Sequence, residues 1–97
     1  MGKVYSVVNI IKIHDRRKFD NYVAGHLDSI TQYGGSFIVK GAHGIVLEGH
    51  WDSSLMVIHE FPDRKQFDSW YGSEEYRPWK ALRQSCAEVN VILVEGT

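Results

Sequence analysis

The amino-acid sequence predicts an α+β domain in which helices lie on one face of a four-stranded antiparallel sheet. Three observations predict this class. Four segments are rich in β-branched and aromatic residues, a segment between the first two has apolar residues at helical spacing, and a second helical pattern follows the third strand. The chain has 97 residues, so we expect one domain over residues 1–97.

The first two predicted elements are a strand over Val4–Ile13 and a helix that begins after Asp15. Both alternating sets of residues in the strand are largely apolar, so both of its faces need cover. Gly34 and Gly35 end the helix, because glycine adopts the left-handed conformation without steric cost. The apolar positions of the helix form one continuous face, made of Phe19, Tyr22, Val23, His26, Leu27, Ile30 and Tyr33.

The middle of the chain is predicted to be extended. Residues 36–40 form a short strand, residues 41–44 a loop, and residues 45–51 a further extended segment that carries Glu48. A turn at Asp52-Ser53 then leads into the apolar strand Leu55–Phe61.

The last third of the chain is predicted to hold a broken helix and a final strand. Pro62 ends the preceding strand, and Asp63 with Gln66 matches a capping box, which predicts a helix over Arg64–Tyr71. A second helical segment follows from Ser73, with Pro78 in its first turn or at a kink. The strand Ala87–Glu95 completes the order β-α-β-β-α-β, the ferredoxin-like arrangement.

This arrangement predicts a homodimer that forms through the sheet. Helices cover only one face of a four-stranded sheet, and the other face would expose Val, Ile and Leu side chains from several strands. Such a patch exceeds the few hundred Å² that soluble monomers usually expose. We therefore expect two copies to pack sheet against sheet, each burying about 800 Å² in an interface of standard size.

Composition limits the partners and the compartment. Eleven basic residues against 12 acidic ones give a net charge of −1, which does not favour nucleic acid as a partner. No apolar run approaches the ~20 residues of a membrane span, so no membrane partner is expected. The single cysteine, Cys86, excludes an intrachain disulfide and is predicted to be a small buried residue, and a cytoplasmic location is expected.

The chain resembles domain of unknown function family 1330, within the dimeric α/β-barrel superfamily of ferredoxin-like proteins. The resemblance implies a barrel-like dimer and leaves the function open. Relatives in the wider superfamily include heme-degrading and cofactor-free monooxygenases, lactone isomerases and stress-responsive small-molecule binders. The segments that carry it are Tyr33-Gly34-Gly35, Glu48-Gly49-His50-Trp51, Glu60-Phe61-Pro62, the run from Trp70 to Tyr76, Arg83, and Val94-Glu95-Gly96.

Among the five histidines, His26 is the candidate for chemistry, because it lies on the apolar face of the first helix between Tyr22 and Tyr33. One interpretation is a core imidazole with a hydrogen bond to a tyrosine or a carbonyl. The other is a general base in a cavity between helix and sheet. No two histidines have the spacing of a metal site, and we expect neither a metal nor a cofactor.

Three charged residues are candidates for ligand binding. Glu48 and Glu60 lie in or beside extended apolar segments, where an ionised carboxylate needs a partner. Arg83 on the second helical segment is a candidate partner for either carboxylate, or an anchor for the carboxylate of a substrate. Asn9 and Asn90 are candidates to hydrogen-bond to each other or to a ligand.

The aromatic residues between the third and fourth strands complete the candidate site. They form either the core or the lining of a pocket, with the Tyr71 and Tyr76 hydroxyl groups as polar contacts. The leading hypothesis is a homodimer that binds a small, aromatic or anionic ligand in a cavity lined by Tyr22, His26, Tyr33, Trp70 and Tyr76. The alternative is a cofactor-independent monooxygenase or an isomerase, with His26 as base and Arg83 as anion anchor. A purely structural dimer has the least support.

Overall fold

A computed structural model describes residues 2–52 and 55–97 of the chain. The sheet and helices follow the predicted order, with the second helical region divided in two. The elements are β1 (Val4–Ile13), α1 (Arg16–Gln32), β2 (Ser36–His43), β3 (Leu55–Phe61), α2 (Arg64–Tyr71), α3 (Arg77–Cys86) and β4 (Ala87–Glu95).

The sheet has the antiparallel order β2-β3-β1-β4 of a ferredoxin-like fold. β1 lies at its centre, where Val8 pairs with Val57 of β3 and with Val91 of β4. This register decides which side chains share a face, because successive residues in a strand point to opposite faces.

One face of the sheet is covered by the helices, and the other is open. Val4, Ser6, Val8 and Ile10 of β1 are buried on the covered face. The intervening residues of β1 lie on the opposite face, which we call the open face. Its apolar residues include Tyr5, Val7, Met56, Ile58, Ile92 and Val94.

Local capping explains where the helices begin. Asp15 Oδ1 accepts a hydrogen bond from the Lys18 amide at 3.1 Å, and Asp63 Oδ1 accepts one from the Gln66 amide at 2.8 Å. Both predicted helix starts are therefore confirmed. Pro78 lies in the first turn of α3, where its missing amide hydrogen costs nothing.

Two predictions for the middle of the chain are wrong. β2 continues into the predicted loop as far as His43, because a register shift between Lys40 and Ala42, where Gly41 adopts φ +75°, lets pairing with β3 resume. The structure has no strand over residues 45–51, which form a loop with Gly49 at φ +79°. Ser53 of the predicted turn lies outside the described residues.

Most aromatic residues of α2 and its surroundings form the core and do not line a pocket, with Tyr71 as the exception. Trp70 and Tyr76 are almost fully buried, with ring centroids 4.1 Å apart. Phe61 lies 5.3 Å from Trp70, and Phe67 packs on both. Cys86 is buried as predicted. This core fixes α2 and α3 against the sheet.

The helices of the described residues are too short or too polar to cross a membrane.

Candidate functional site

A cavity of about 350 Å³ lies between α1 and the covered face of the sheet, and we call it the inner cavity. Four buried polar side chains line it from three elements: Tyr22 and His26 of α1, His59 of β3 and Arg83 of α3. The apolar part of its lining includes Val8, Ile10, Phe19, Phe37, Val57 and Val89. An apolar cavity with a few converging polar groups is typical of a small-molecule site.

His26 is held in one orientation by its own helix. Its Nδ1 lies 2.7 Å from the Tyr22 carbonyl oxygen and 3.1 Å from that of Val23, so Nδ1 carries the proton and donates it to these carbonyls. The ring also stacks on Tyr22, with centroids 4.2 Å apart. Burial lowers the pKa of His26, and Arg83 adds to this effect. His26 is thus neutral at pH 7, with its lone pair on Nε2.

His59 is a site residue that the sequence analysis missed. It is 3 % exposed and lies among rings, 4.8 Å from Phe37, 5.7 Å from Trp70 and 6.3 Å from His26 between centroids. Neither of its ring nitrogens has a hydrogen-bond partner in the described part of the chain. Burial, with contributions from His26 and Arg83, lowers its pKa to about 3, so the ring is neutral.

One signal in the sequence could have identified His59. It interrupts the apolar alternation of β3, in which Leu55, Val57 and Phe61 occupy the covered face. A polar residue in such an alternation is buried, and a buried polar group needs a partner.

Arg83 places a positive charge at the end of the inner cavity. Its side chain comes from α3, the residue is 5 % exposed, and its Nε has no hydrogen-bond partner within residues 2–52 and 55–97. Burial opposes the charge, but attraction by Tyr76 and Tyr22 and a hydrogen bond with Tyr71 outweigh this, and the pKa of Arg83 is raised. The guanidinium group is therefore always charged.

The Tyr22 and Tyr76 hydroxyl groups hydrogen-bond to each other at 2.7 Å. Burial raises the pKa of both phenols, and for Tyr22 the neighbouring Tyr76 raises it further. Both residues are neutral, so Arg83 is the charged group next to them. Tyr76 is not a lining residue of the cavity, but its hydrogen bond holds the side chain of Tyr22, which is.

A second set of contacts holds these side chains in place. Ser29 Oγ donates to the His26 carbonyl oxygen at 2.6 Å and accepts from Trp70 Nε1 at 3.0 Å. Lys80 Nζ donates to the Tyr71 carbonyl oxygen at 3.1 Å and lies 4.1 Å from the centre of that ring. These contacts link α1, α2 and α3 around the cavity.

Arg83 also lines a larger, open groove of about 670 Å³ beside β4, which we call the outer groove. Tyr71, Gln84 and Asn90 line the same groove. Arg83 therefore lies between the solvent side and the inner cavity.

The structure does not bring Glu60 to Arg83. Glu60 pairs with Tyr5 in the register and lies on the open face, whereas Arg83 comes from the helices on the covered face. Glu60 instead forms an ion pair with Lys3 at 3.2 Å. The predicted Glu60 partner was wrong, because the sheet separates the two groups.

Glu48 and Tyr33 also lie away from the inner cavity. Glu48 is exposed in the loop over residues 45–51, where it lines a different pocket with Trp51 and Met56. Tyr33 ends α1, and its hydroxyl group donates to Glu75 at 2.7 Å near the surface. Of the predicted tyrosines, only Tyr22 lines the cavity directly, and Trp70 stands behind it.

Asn9 and Asn90 face each other in neighbouring strands, as the sequence analysis anticipated. The Asn9 Oδ1 atom is buried and has no hydrogen-bond partner in the residues that the structure places. The described residues contain no group of three or more His, Cys, Asp or Glu side chains that could hold a metal ion.

Several solved structures share this fold. A protein of unknown function from Rhodopseudomonas palustris matches 99 % of this chain and 83 % of its own, with a TM-score of 0.80 at 16 % identity. SnoaB, a cofactor-independent oxygenase from Streptomyces nogalater, matches 100 % of this chain and 95 % of its own, with a TM-score of 0.71 at 15 % identity. At such identities the likeness shows the fold alone.

A third structure with this fold is described as dimeric. A dimeric ferredoxin-like protein of unknown function from Jannaschia sp. CCS1 matches 98 % of this chain and 100 % of its own, with a TM-score of 0.66 at 9 % identity. No curated protein matches the chain at a significant level. The model of the family described as domain of unknown function DUF1330 matches residues 3–97. Because that match spans nearly the whole chain, the protein belongs to the DUF1330 family.

Proposed function

We propose that this protein is a homodimer that binds a small organic anion with an aromatic body in the inner cavity of each subunit. The proposal rests on the surroundings of the Arg83 guanidinium group. Its charge is buried, it borders an apolar cavity, and its Nε has no partner among the residues described. A buried charge without a counter-ion costs several kcal/mol, which an anionic ligand would offset.

The charge balance of the cavity favours a monoanion. Arg16 and Asp20 also line it, but they form an ion pair with each other at 3.2 Å and are exposed. The histidines and tyrosines of the cavity are neutral at pH 7, since their pKa values are shifted away from neutrality. Lys40 also lines the cavity but is exposed, so Arg83 is the one buried charge among the lining residues at pH 7.

The shape of the cavity favours a planar body. Phe19, Tyr22 and Phe37 present rings to it, and its volume of about 350 Å³ lies at the small end of the range for ligand pockets. A ligand of one or two fused rings fits these dimensions and allows stacking contacts.

Calorimetric titration with benzoate and its neutral analogue benzamide tests the proposal. We expect benzoate to bind and benzamide to bind at least about tenfold more weakly, because only the carboxylate neutralises Arg83. Arg83→Met should remove this preference for the anion. Arg77→Met, on the same helix with an exposed side chain, is the matched control and should retain it. Equal binding of the acid and the amide would overturn the proposal.

The homodimer rests on the open face. Ile92 is 59 % exposed and Val94 is 44 % exposed, and both lie beside β1 residues of the same face. Burying these side chains gains about 25 cal/mol per Å² of apolar area. A second copy of this chain offers a surface of the same shape and chemistry, and two-fold pairing buries both at once.

The loop over residues 45–51 extends the same apolar surface. Ile45 is 86 % exposed and Leu47 is 89 % exposed, and with Met56 of the open face they line a pocket of about 380 Å³. The Jannaschia protein with the same fold is described as dimeric. Sheet-to-sheet pairing would cover the open face and bring this loop against the partner.

A second function is supported by His26. Its Nδ1 proton is fixed by backbone carbonyls, so Nε2 is free to accept a proton from a bound ligand, and Arg83 would stabilise the resulting anion. SnoaB, which shares the fold, is a cofactor-independent oxygenase. The same cavity would then serve an oxygenase or isomerase reaction with His26 as general base.

Turnover assays with hydroquinone-type aromatic acids, followed by oxygen uptake and product analysis, test this second function. His26→Gln should abolish turnover while binding of benzoate persists. Because burial lowers the pKa of His26, the rate should not decline between pH 8 and pH 7. Unchanged turnover in His26→Gln would show that His26 is not the base.

A further inference from the structure

The inner cavity contains both hydrogen-bond donors and hydrogen-bond acceptors that are available to a ligand. The buried atoms without a partner among its described lining residues are both ring nitrogens of His59 and Nε of Arg83, and the ring of His26 adds Nε2 as an acceptor. A buried polar group without a partner costs about 1–3 kcal/mol, so native proteins leave few of them. The chemical inventory of these groups therefore describes what a ligand must supply.

His26 supplies an acceptor. Since its Nδ1 proton is committed to the Tyr22 and Val23 carbonyl oxygens, the neutral ring has only the Nε2 lone pair left. A lone pair is satisfied only by a ligand atom that carries a hydrogen.

His59 and Arg83 supply the remaining groups. The neutral ring of His59 has one N–H donor and one nitrogen acceptor, and both nitrogens lack partners in the structure as described. The Nε–H of Arg83 is a donor without an acceptor. Together with His26, the cavity presents two unused donors and two unused acceptors.

A simple carboxylate cannot satisfy this set. Its oxygens accept from Arg83 and His59, but they bring no hydrogen for the His26 and His59 lone pairs. A ligand that also carries a hydroxyl group brings one hydrogen, which satisfies one of the two lone pairs. The His26 and His59 ring centroids are 6.3 Å apart, so a single substituted ring can reach both imidazoles.

We propose that the ligand is a hydroxyaryl carboxylate, with its carboxylate on Arg83 and His59 and its hydroxyl group donating to His26. This inference rests on the proposed function and adds the donor requirement to it. It makes His26 a specificity-determining residue, because its lone pair separates hydroxylated aromatic acids from plain ones.

A series of four probes tests the donor requirement in the wild-type protein by calorimetry. The probes are benzoate, 2-hydroxybenzoate, 3-hydroxybenzoate and 3-methoxybenzoate. We expect the better of the two hydroxybenzoates to bind about tenfold more tightly than benzoate, as one well-placed hydrogen bond in a buried site allows. The methoxy compound has the oxygen but no hydrogen, so it should show no gain over benzoate.

One variant and a control assign the effect to His26. In His26→Phe, which keeps a flat ring on Tyr22, the ratio of hydroxybenzoate affinity to benzoate affinity should fall to about one. His50→Gln, at an exposed imidazole, is the control and should keep the full gain. Should His26→Phe fail to fold, the comparison of hydroxy and methoxy probes in the wild type still decides the question.

The outcomes separate the two proposals. Binding of benzoate without any gain from either hydroxyl group, or equal gains from hydroxy and methoxy groups, would overturn the donor requirement and leave anion binding in place. Failure of all four acids to bind at millimolar concentration would overturn both.

Discussion

Ser29 links α1 to α2 beside the inner cavity through its hydroxyl group. It donates to the His26 carbonyl oxygen and accepts from the Trp70 indole. Ser29→Ala should destabilise the protein by roughly 1–3 kcal/mol, because it leaves the buried Trp70 donor without a partner. Ser85→Ala is the matched control, since Ser85 Oγ also donates to a carbonyl three residues earlier but is exposed. Urea denaturation measures both, and equal losses would contradict this role of Ser29.

His59 should make the stability of the protein depend on acid pH. Its pKa is about 3 in the folded protein, mainly through burial, whereas an unfolded imidazole titrates near 6.5. The unfolded chain therefore binds the proton first, and stability present above pH 6.5 is lost as the pH falls toward 3, at up to about 1.36 kcal/mol per pH unit.

His59→Leu should reduce this loss. Between pH 6 and pH 4 the urea midpoint of the variant should fall less steeply than that of the wild type. At pH 7 and without ligand, the variant should be at least as stable as the wild type, because it removes two unpaired nitrogens. Identical slopes in the two proteins would contradict the account. The same variant should bind aromatic acids more weakly, a trade of function for stability.

At this scale the sequence allowed some residues of the site to be predicted. His26 was identified because it lies on an apolar helix face, and Arg83 because its guanidinium group can pair with a carboxylate. The partner of Glu60 was predicted wrongly, since its side of the sheet depends on a register that no local pattern reveals. His59 was missed although it interrupts the apolar alternation of β3, because that pattern does not show whether a buried imidazole has a partner.

The packing of α1 on α3 depends on Gly25. A Cβ atom built at this position would overlap the Trp79 indole ring. Gly25→Ala should therefore cost about 1–3 kcal/mol in strain, against a gain of roughly 1 kcal/mol in helix propensity. We expect a net loss of stability in urea denaturation.

Gly72→Ala is the matched control for Gly25→Ala. Its new Cβ atom would lie 3.5 Å from the Asp68 carbonyl oxygen, an ordinary contact, and φ at Gly72 is −97°. The variant should stay within about 0.5 kcal/mol of the wild type. A stabilised Gly25→Ala variant would show that Trp79 moves aside freely.

Most elements followed from local signals, and the exceptions have a physical reason. The caps at Asp15 and Asp63 fix the helix starts through hydrogen bonds within a few residues. The extension of β2 to His43 and the loop over residues 45–51 depend instead on pairing with β3 and on the bulge near Gly41. Pairing between strands depends on residues that are distant in the sequence, so the local pattern of residues 36–51 does not reveal it.

At the scale of the whole molecule, the account predicts a dimer that one charge on the open face disrupts. Ile92→Lys places an ammonium group where two sheets would meet, and desolvating it costs several kcal/mol. Sedimentation velocity should show a dimer for the wild type and a monomer for the variant at micromolar concentration. The control is Lys12→Ile in β1, which is not expected to dissociate the dimer. A monomeric wild type would contradict the prediction.

The central claim is that an organic anion binds to the buried Arg83. A crystal structure of the protein grown with 3-hydroxybenzoate tests this claim most directly. The measured quantity is the distance from the carboxylate oxygens to Arg83 Nε. The account predicts about 2.8 Å, with the ring against Phe37 and the hydroxyl group toward His26. An inner cavity that holds only water, or a 3-hydroxybenzoate bound with its carboxylate away from Arg83, would contradict it.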